Sequence, residues 1–293
     1  MRVKRRKSEN FWGLLFIFPT IAGLIILNMY PLFRTIWQSL HRTGDFGIGN
    51  QFVGLANYER LLSQPMIWQS IWNTVKYAIL EVPMSIAIAL VLAVFLNAKI
   101  RGRTTFRAIF FLPMVAAPAA IAMVWRWLFH SEFGLINNVL GLRVHWTTDP
   151  NIAIYSLAII GIWGVIGYNV ILFLAGLQTI PRDYYEAASI DGASGVRQFF
   201  KITLPLISPM LFFVTVTRVM AALQVFDSIF MVIGAMGNPA LPRTQSLVFL
   251  FYRQAFVERN WGAGATIVII LLLIIALITT FQMIAQKKWV HYE

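Results

Sequence analysis

The chain of 293 residues contains no cysteine and few charged side chains. The absence of cysteine excludes disulfides, thiolate metal sites and cysteine nucleophiles. Only 12% of the residues are charged, whereas 58% are hydrophobic. This composition excludes a disordered chain and indicates a polytopic membrane protein rather than a soluble domain.

Patterns for catalysis and metal binding are also missing. No Lys follows a Gly, which excludes the phosphate-binding loop G-x4-G-K-[ST]. None of the histidines His41, His130, His145 and His291 has a second His four residues further on. We therefore predict no cofactor, no metal site and no catalytic residue on this chain. A membrane-embedded enzyme would need a convergent catalytic cluster, and the sequence offers none.

Long apolar runs dominate what is present. Crossing a bilayer takes about 20 apolar residues. Six runs meet this need, at 11–33, 72–98, 106–129, 152–178, 204–226 and 263–285. We predict an all-α integral membrane protein with six transmembrane helices, a basic tail over 1–10 and one transmembrane domain over 11–293. The first run is longer than the core of a signal peptide and should stay as a helix.

Lys and Arg are distributed unevenly among the segments between these runs. The two ends, the loop near 100 and the loop near 190 carry fourteen of them, whereas the other loops carry seven. By the positive-inside rule both termini are predicted to be cytoplasmic. The net charge of +12 is then mostly juxtamembrane, where it serves topology and lipid headgroups and predicts no nucleic-acid partner.

The polar segment 181–205 lies between two apolar runs on the predicted cytoplasmic side. Pro181 suits the first turn of a helix, Gly192 can take the left-handed conformation that ends one, and Ser194 can cap the next. We expect two short helices joined by a tight turn, the second ended by Pro205 and Pro209. Tyr184, Ala187 and Ala188 would share a small apolar face for a partner's groove. The alternative is an amphipathic turn that lies on the headgroups.

The same segment reads E-A-A-x3-G-x9-I-x-L-P and resembles the EAA loop of the membrane subunits of ATP-binding-cassette importers. Phe52–Tyr58 resembles the FxGLxNY element of sugar-type permeases, and 125–140 is similar to a stretch of the same group. The resemblance to carbohydrate permeases of the MalF/UgpA type implies a MetI-like bundle that forms half of a translocation pathway.

The resemblance also implies partners and coupling residues. The partners are a second permease chain, two copies of an ATPase, an extracytoplasmic binding protein and the bilayer of a prokaryotic inner membrane. The residues implied to couple to the ATPase are Tyr184, Tyr185, Glu186, Ala187, Ala188, Asp191, Gly192, Ile202, Leu204 and Pro205.

Polar residues within apolar runs are costly and are therefore candidates for a pathway. Gln224 and Asp227 are three residues apart, which would place them on one helix face. The spacing of Gly161, Gly164 and Gly167 favours close helix packing. Aromatic rings beside amides and carboxylates nevertheless suit a neutral sugar. The predicted pathway residues, aided by the resemblance, are Trp163, Tyr168, Asn169, Arg218, Gln224 and Asp227.

Several alternatives remain open. Lys76 and Glu81 are five residues apart, and we expect each to snorkel toward an interface rather than serve the substrate. Glycerol phosphate, a polyol or a polyamine could replace the sugar. An acidic substrate would favour Arg218 as its partner, whereas a polyamine would favour Asp227 and Glu81. A secondary transporter would leave the pattern over 186–205 unexplained.

Overall fold

The computed structural model describes residues 2–42, 51–98, 103–234 and 237–291, and these are largely helical. The first helices are α1 (Arg2–Leu24), α2 (Tyr30–Ser39), α3 (Ala56–Leu62), α4 (Pro65–Asn97), α5 (Arg103–Val115), α6 (Pro118–Leu128) and α7 (Leu135–Leu140). The remaining helices are α8 (Ala153–Thr179), α9 (Asp183–Ile190), α10 (Gly195–Gln198), α11 (Leu204–Leu206), α12 (Ser208–Leu223), α13 (Leu241–Thr244), α14 (Leu247–Tyr252) and α15 (Trp261–Ala285).

Shorter elements connect several of these helices. Wider π-helical turns occur at Ile25–Met29, Phe199–Thr203, Ile229–Ile233 and Arg253–Val257, and a 3₁₀ turn at Gln286–Lys288 follows α15. Strands β1 (His41–Arg42) and β2 (Gln51–Phe52) pair in antiparallel fashion. The contacts divide the chain into one unit of Met1–Ser63 with Phe251–Leu271 and another of Gln64–Leu250 with Leu272–Glu293.

Four helical stretches of the described residues are long and apolar enough to cross a membrane. They are Phe11–Ser39, Pro65–Asn97, Ala153–Thr179 and Trp261–Lys288, which correspond to the first, second, fourth and sixth predicted runs. A fifth results if Gly195–Leu206 and Ser208–Leu223 are counted together, although their axes are bent by 68°.

The third predicted run, 106–129, is two helices rather than one. α5 ends at Val115, and α6 begins at Pro118. Ala117 between them is extended, with φ −62° and ψ 134°. A residue before proline is pushed out of the helical region by the proline ring, so the chain breaks where the sequence analysis predicted a continuous span.

In the first unit, the element over Phe52–Tyr58 holds the end of α2. The Asn57 side chain is buried, and its Nδ2 donates to the carbonyl oxygens of Ser39 at 2.9 Å and His41 at 3.0 Å. Tyr58 Oη and Ser39 Oγ are 2.8 Å apart. The last carbonyls of a helix lack partners within it, and Asn57 supplies one at the end of α2. The residues that resemble the FxGLxNY element thus cap this helix.

In the second unit, α4 and α8 carry most of the hydrophobic core. One cluster of buried side chains surrounds Phe129, Leu157 and Ile229. A second surrounds Ala89, Phe173 and Ile207. The cavity residues described below lie on α4, α8 and α12 or directly after α12, so this core fixes their positions.

Candidate functional site

The segment 181–205 forms a helical hairpin. Gly192 has φ +74° and ends the turn after α9, and Ser194 Oγ accepts the Arg197 N–H at 3.4 Å at the start of α10. Both local predictions are thus confirmed. Pro181 lies before the N-cap residue Arg182 and not in the first turn, which corrects the prediction for that position.

The second arm of this hairpin does not end at Pro205, contrary to the sequence analysis. It runs from Gly195 through the π-helical turn and α11 to Leu206, and only then bends by 68° into α12. Proline is tolerated in the first turn of a helical segment, and Pro205 and Pro209 each occupy such a position. Pro209 lacks the N–H that would continue the earlier helix through the bend.

Side-chain hydrogen bonds connect the two arms. Tyr185 Oη and Thr203 Oγ1 are 3.0 Å apart. Gln198 Nε2 donates to Ser189 Oγ at 3.0 Å and to the Ala193 carbonyl at 3.1 Å. These bonds hold the two arms of the hairpin against each other.

The hairpin also exposes apolar side chains that the sequence analysis did not predict as coupling residues. Tyr184 is 47% exposed, as expected for a docking face, but Ile190 is 87% exposed, Val196 70% and Phe200 59%. Their apolar character within a polar segment was the available signal. Glu186, Ala187, Asp191 and Gly192 are also exposed, whereas Tyr185, Ala188, Ile202, Leu204 and Pro205 are half-buried.

A cavity of about 490 Å³ lies in the second unit, where α4, α8 and α12 meet the break between α5 and α6. Four predicted pathway residues line it together: Tyr168, Arg218, Gln224 and Asp227. Tyr77, Gly161, Gly164 and Ser228 add to the lining. The structure therefore brings polar side chains from three separate apolar runs to one cavity.

Gln224 and Asp227 reach the cavity through a break in the helix and not through a shared helix face. α12 ends at Leu223, and Val225 and Phe226 are not helical. The freed Val225 carbonyl accepts a hydrogen bond from Ser246 Oγ at 2.7 Å. Non-helical backbone at membrane depth needs such a partner. Gln224 and Asp227 therefore do not share a helix face, contrary to the prediction, although both line the cavity.

Glu81 does not snorkel to an interface, which corrects the prediction for this residue. Its side chain is fully buried, and its Oε1 lies 2.8 Å from Arg218 Nη2. A buried charge is stabilised when it is paired, and Arg218 on α12 supplies the opposite charge. The signal was present in the sequence as opposite charges within two apolar runs.

The remaining predicted positions lie elsewhere. Trp163 is absent from the cavity lining and packs edge-on against Trp125, with ring centroids 5.8 Å apart. Asn169 is fully buried away from the cavity, and its amide has no hydrogen-bond partner among the described residues. Lys76 Nζ lies 4.9 Å from the centre of the Tyr155 ring.

In the described part of the chain, no three His, Asp or Glu side chains form a metal-binding group.

The glycines of α8 differ in what surrounds them. A Cβ on Gly161 would collide with Tyr77 Oη and lie 3.2 Å from Glu81 Cγ, so the packing interpretation holds there. A Cβ on Gly164 would meet nothing within 4 Å, because this glycine faces the cavity.

A family model described as "Binding-protein-dependent transport system inner membrane component" matches residues 85–291. The chain is 34% identical over 281 residues, 95% of each chain, to the sn-glycerol-3-phosphate transport system permease protein UgpA of Agrobacterium fabrum. It is 32% identical over 294 residues to the probable ABC transporter permease protein YesP of Bacillus subtilis, covering 98% of this chain and 94% of that one.

Solved structures show the same fold. A chain of a bacterial ABC transporter involved in the import of the acidic polysaccharide alginate superimposes with a TM-score of 0.86 at 20% identity, covering 98% of this chain and 99% of that one. A chain of the MetNI methionine ABC transporter matches with a TM-score of 0.54 at 18% identity, covering 78% of this chain and all of that one.

Proposed function

Because the chain belongs to the family of binding-protein-dependent transport system inner membrane components, we propose that it forms half of the pathway through which an importer moves a polyhydroxylated carbohydrate. As an ABC importer permease it is a transport subunit and not an enzyme. The observation that carries the proposal is the cavity shared by Tyr168, Gln224 and Asp227.

The chemistry of this lining suits a sugar. The Tyr168 ring can stack on the C–H face of a pyranose or furanose ring. The Gln224 amide both donates and accepts hydrogen bonds, and the Asp227 carboxylate accepts them from hydroxyl groups. Gln224 and Asp227 are exposed to the cavity and Tyr168 is 39% exposed, so all three are available to a solute.

The helical hairpin over 181–205 is the proposed contact with the ATPase. Its exposed apolar side chains, Tyr184, Ile190, Val196 and Phe200, would lie in a groove of that subunit. The hairpin continues through the 68° bend into α12, whose far end carries Arg218 and Gln224. ATP-driven movement of the hairpin would therefore reach the cavity through one helix.

The proposed assembly follows from this arrangement. A second permease chain would complete the pathway, two ATPase copies would bind the hairpins, and an extracytoplasmic binding protein would deliver the solute. Residues 11–293 would act as one transmembrane domain with the basic tail 1–10 and both termini in the cytosol, in agreement with the excess of Lys and Arg on that side. Alternating access around the cavity would be the mechanism.

Glycerol phosphate is the second candidate solute. Relatives at 34% identity are named sn-glycerol-3-phosphate transport system permease proteins, and the described part of the cavity lining contains one basic side chain, Arg218, which is paired with Glu81.

Uptake by the complete importer, reconstituted with its partner subunits and binding protein, tests the pathway. Asp227→Ala should lower uptake at limiting solute by roughly tenfold or more, because losing one hydrogen bond to a charged group costs about 1.5–3 kcal/mol. Gln224→Leu should lower uptake less, because a hydrogen bond to a neutral amide contributes about 0.5–1.5 kcal/mol. Lys76→Arg is the matched control, since Lys76 lies outside the cavity lining. Parental uptake in both site variants, with normal assembly, would move the pathway to the partner permease.

A further inference from the structure

The ion pair between Glu81 and Arg218 lies at the wall of the proposed cavity. Arg218 belongs to the lining and its side chain is 15% exposed, whereas the Glu81 side chain is fully buried behind it. Arg218 Nη2 donates to Glu81 Oε1 at 2.8 Å. A solute in the cavity therefore meets a compensated ion pair and not a lone cation.

The position of Glu81 is fixed by its surroundings. Gly161 of α8 lies so close that a Cβ there would collide with Tyr77 Oη and come within 3.2 Å of Glu81 Cγ. Tyr77 is 5% exposed and Glu81 fully buried. α8 thus packs closely against this stretch of α4, beside the buried Glu81 side chain.

The charges around the cavity then work against anionic solutes. Among the described lining residues, Arg218 is the basic side chain and Asp227 the acidic one. Glu81 cancels the charge of Arg218, which leaves the Asp227 carboxylate uncompensated. In a site of low dielectric constant, a phosphate or carboxylate group would be repelled by Asp227 without an opposing attraction.

We propose that Glu81 is a specificity-determining residue, which holds Arg218 in an ion pair so that the cavity admits neutral polyhydroxylated solutes and excludes phosphate esters. This assignment rests on the proposed role of the cavity in solute passage. The ion pair also explains why α4 carries Glu81, a buried charged residue that does not itself face a solute. Removing the carboxylate would leave Arg218 free to attract an anion.

Because the chain contains no cysteine, a single introduced thiol can report the electrostatic potential in the cavity. Gly164→Cys places a thiol on the cavity wall, where a Cβ meets no atom within 4 Å. The complete importer in detergent is treated with an anionic and with a cationic methanethiosulfonate reagent, and modification of this chain is followed by intact mass. The ratio of the two rates reports the local potential, because a change in thiol access affects both rates alike.

Adding Glu81→Gln should raise the ratio of the anionic to the cationic rate by roughly tenfold, since a unit negative charge is lost near the thiol. Arg218→Gln should lower the ratio, and the double variant should return it to the parental value. If Glu81→Gln does not fold, two other variants still test the proposal. Arg218→Gln should lower the ratio of the two rates, and Glu81→Asp, which keeps the negative charge, should leave the ratio at the parental value. An unchanged ratio in the single variants would overturn the proposal.

A second arm tests selectivity with two solutes that differ by a phosphate group. sn-Glycerol 3-phosphate should protect the introduced thiol at least about tenfold better in Glu81→Gln than in the parent, whereas glycerol should protect both equally. Equal protection of both proteins by the phosphate ester would contradict the assignment. Thiol modification is measured without uptake, so the two failures are distinguishable: parental uptake by both Asp227→Ala and Gln224→Leu would refute the pathway, whereas an unchanged rate ratio would refute the role of Glu81 in setting the cavity charge.

Discussion

At the scale of single residues, Gly161 sets how closely α8 approaches α4. Gly161→Ala adds a methyl group where Tyr77 Oη already lies, so the tyrosine or the helix must move. Such overpacking typically costs about 1–3 kcal/mol. We expect a lower midpoint of thermal unfolding for the purified protein in detergent.

Gly164→Ala is the matched control for this prediction. It lies one turn along the same helix but faces open space, and alanine is the better helix former by about 1 kcal/mol. Its unfolding midpoint should equal or exceed that of the parent. Equal losses of stability in both variants would show that α8 does not pack through Gly161.

The sequence predicted the types of residue at the cavity better than their geometry. The prediction of Tyr168, Arg218, Gln224 and Asp227 rested on the cost of polar groups in or beside apolar runs and on the resemblance to carbohydrate permeases. Glu81 was assigned to an interface because only its neighbours along the chain were considered. Its partner Arg218 is 137 residues away, and local spacing carries no information on such a contact.

At the scale of elements, the hairpin over 181–205 depends on the left-handed turn at Gly192. Gly192→Val would place a β-branched residue at φ +74°, a strain of about 1–2 kcal/mol or more. We expect the ATPase to co-purify less with this variant and uptake to fall. Gly195→Val is the control, because Gly195 begins a helix with ordinary φ and a Cβ there meets nothing within 4 Å.

Normal ATPase recovery and uptake in the Gly192→Val variant would contradict this prediction. The turn itself was predictable because Gly192 and Ser194 act through local backbone chemistry. The end of the second arm was not, because Pro205 is compatible with both the end and the start of a helical segment. Ile207, at the bend itself, is buried in the core, and such a tertiary contact is not visible in local sequence.

At the scale of the whole molecule, the distribution of charge predicts the orientation in the membrane. A cytosol-dependent reporter fused after Glu293 should be active, whereas an extracytoplasmic reporter at the same place should be inactive. Fusions after Ser63 should give the opposite pattern, since that position follows the first predicted span. An extracytoplasmic C-terminus would also contradict the placement of the hairpin at a cytosolic ATPase.

The helical class of the molecule followed directly from its apolar runs, and four of the six runs correspond to continuous helices. The other two are interrupted at Ala117 and at Ile207, beside prolines. Hydropathy averages over a window and cannot detect such breaks. Both interruptions matter, since the first borders the cavity and the second joins the hairpin to α12.

The bend before α12 has a mechanical consequence. α12 contains 16 residues, and at a rise of 1.5 Å per residue its arm is about 24 Å long. A tilt of roughly 10° about the bend would sweep the Gln224 end through about 4 Å. That travel exceeds the reach of a hydrogen bond. A small rotation of the hairpin on the cytosolic side would thus be amplified along α12 into a displacement large enough to break the hydrogen bonds between Gln224 and a bound sugar.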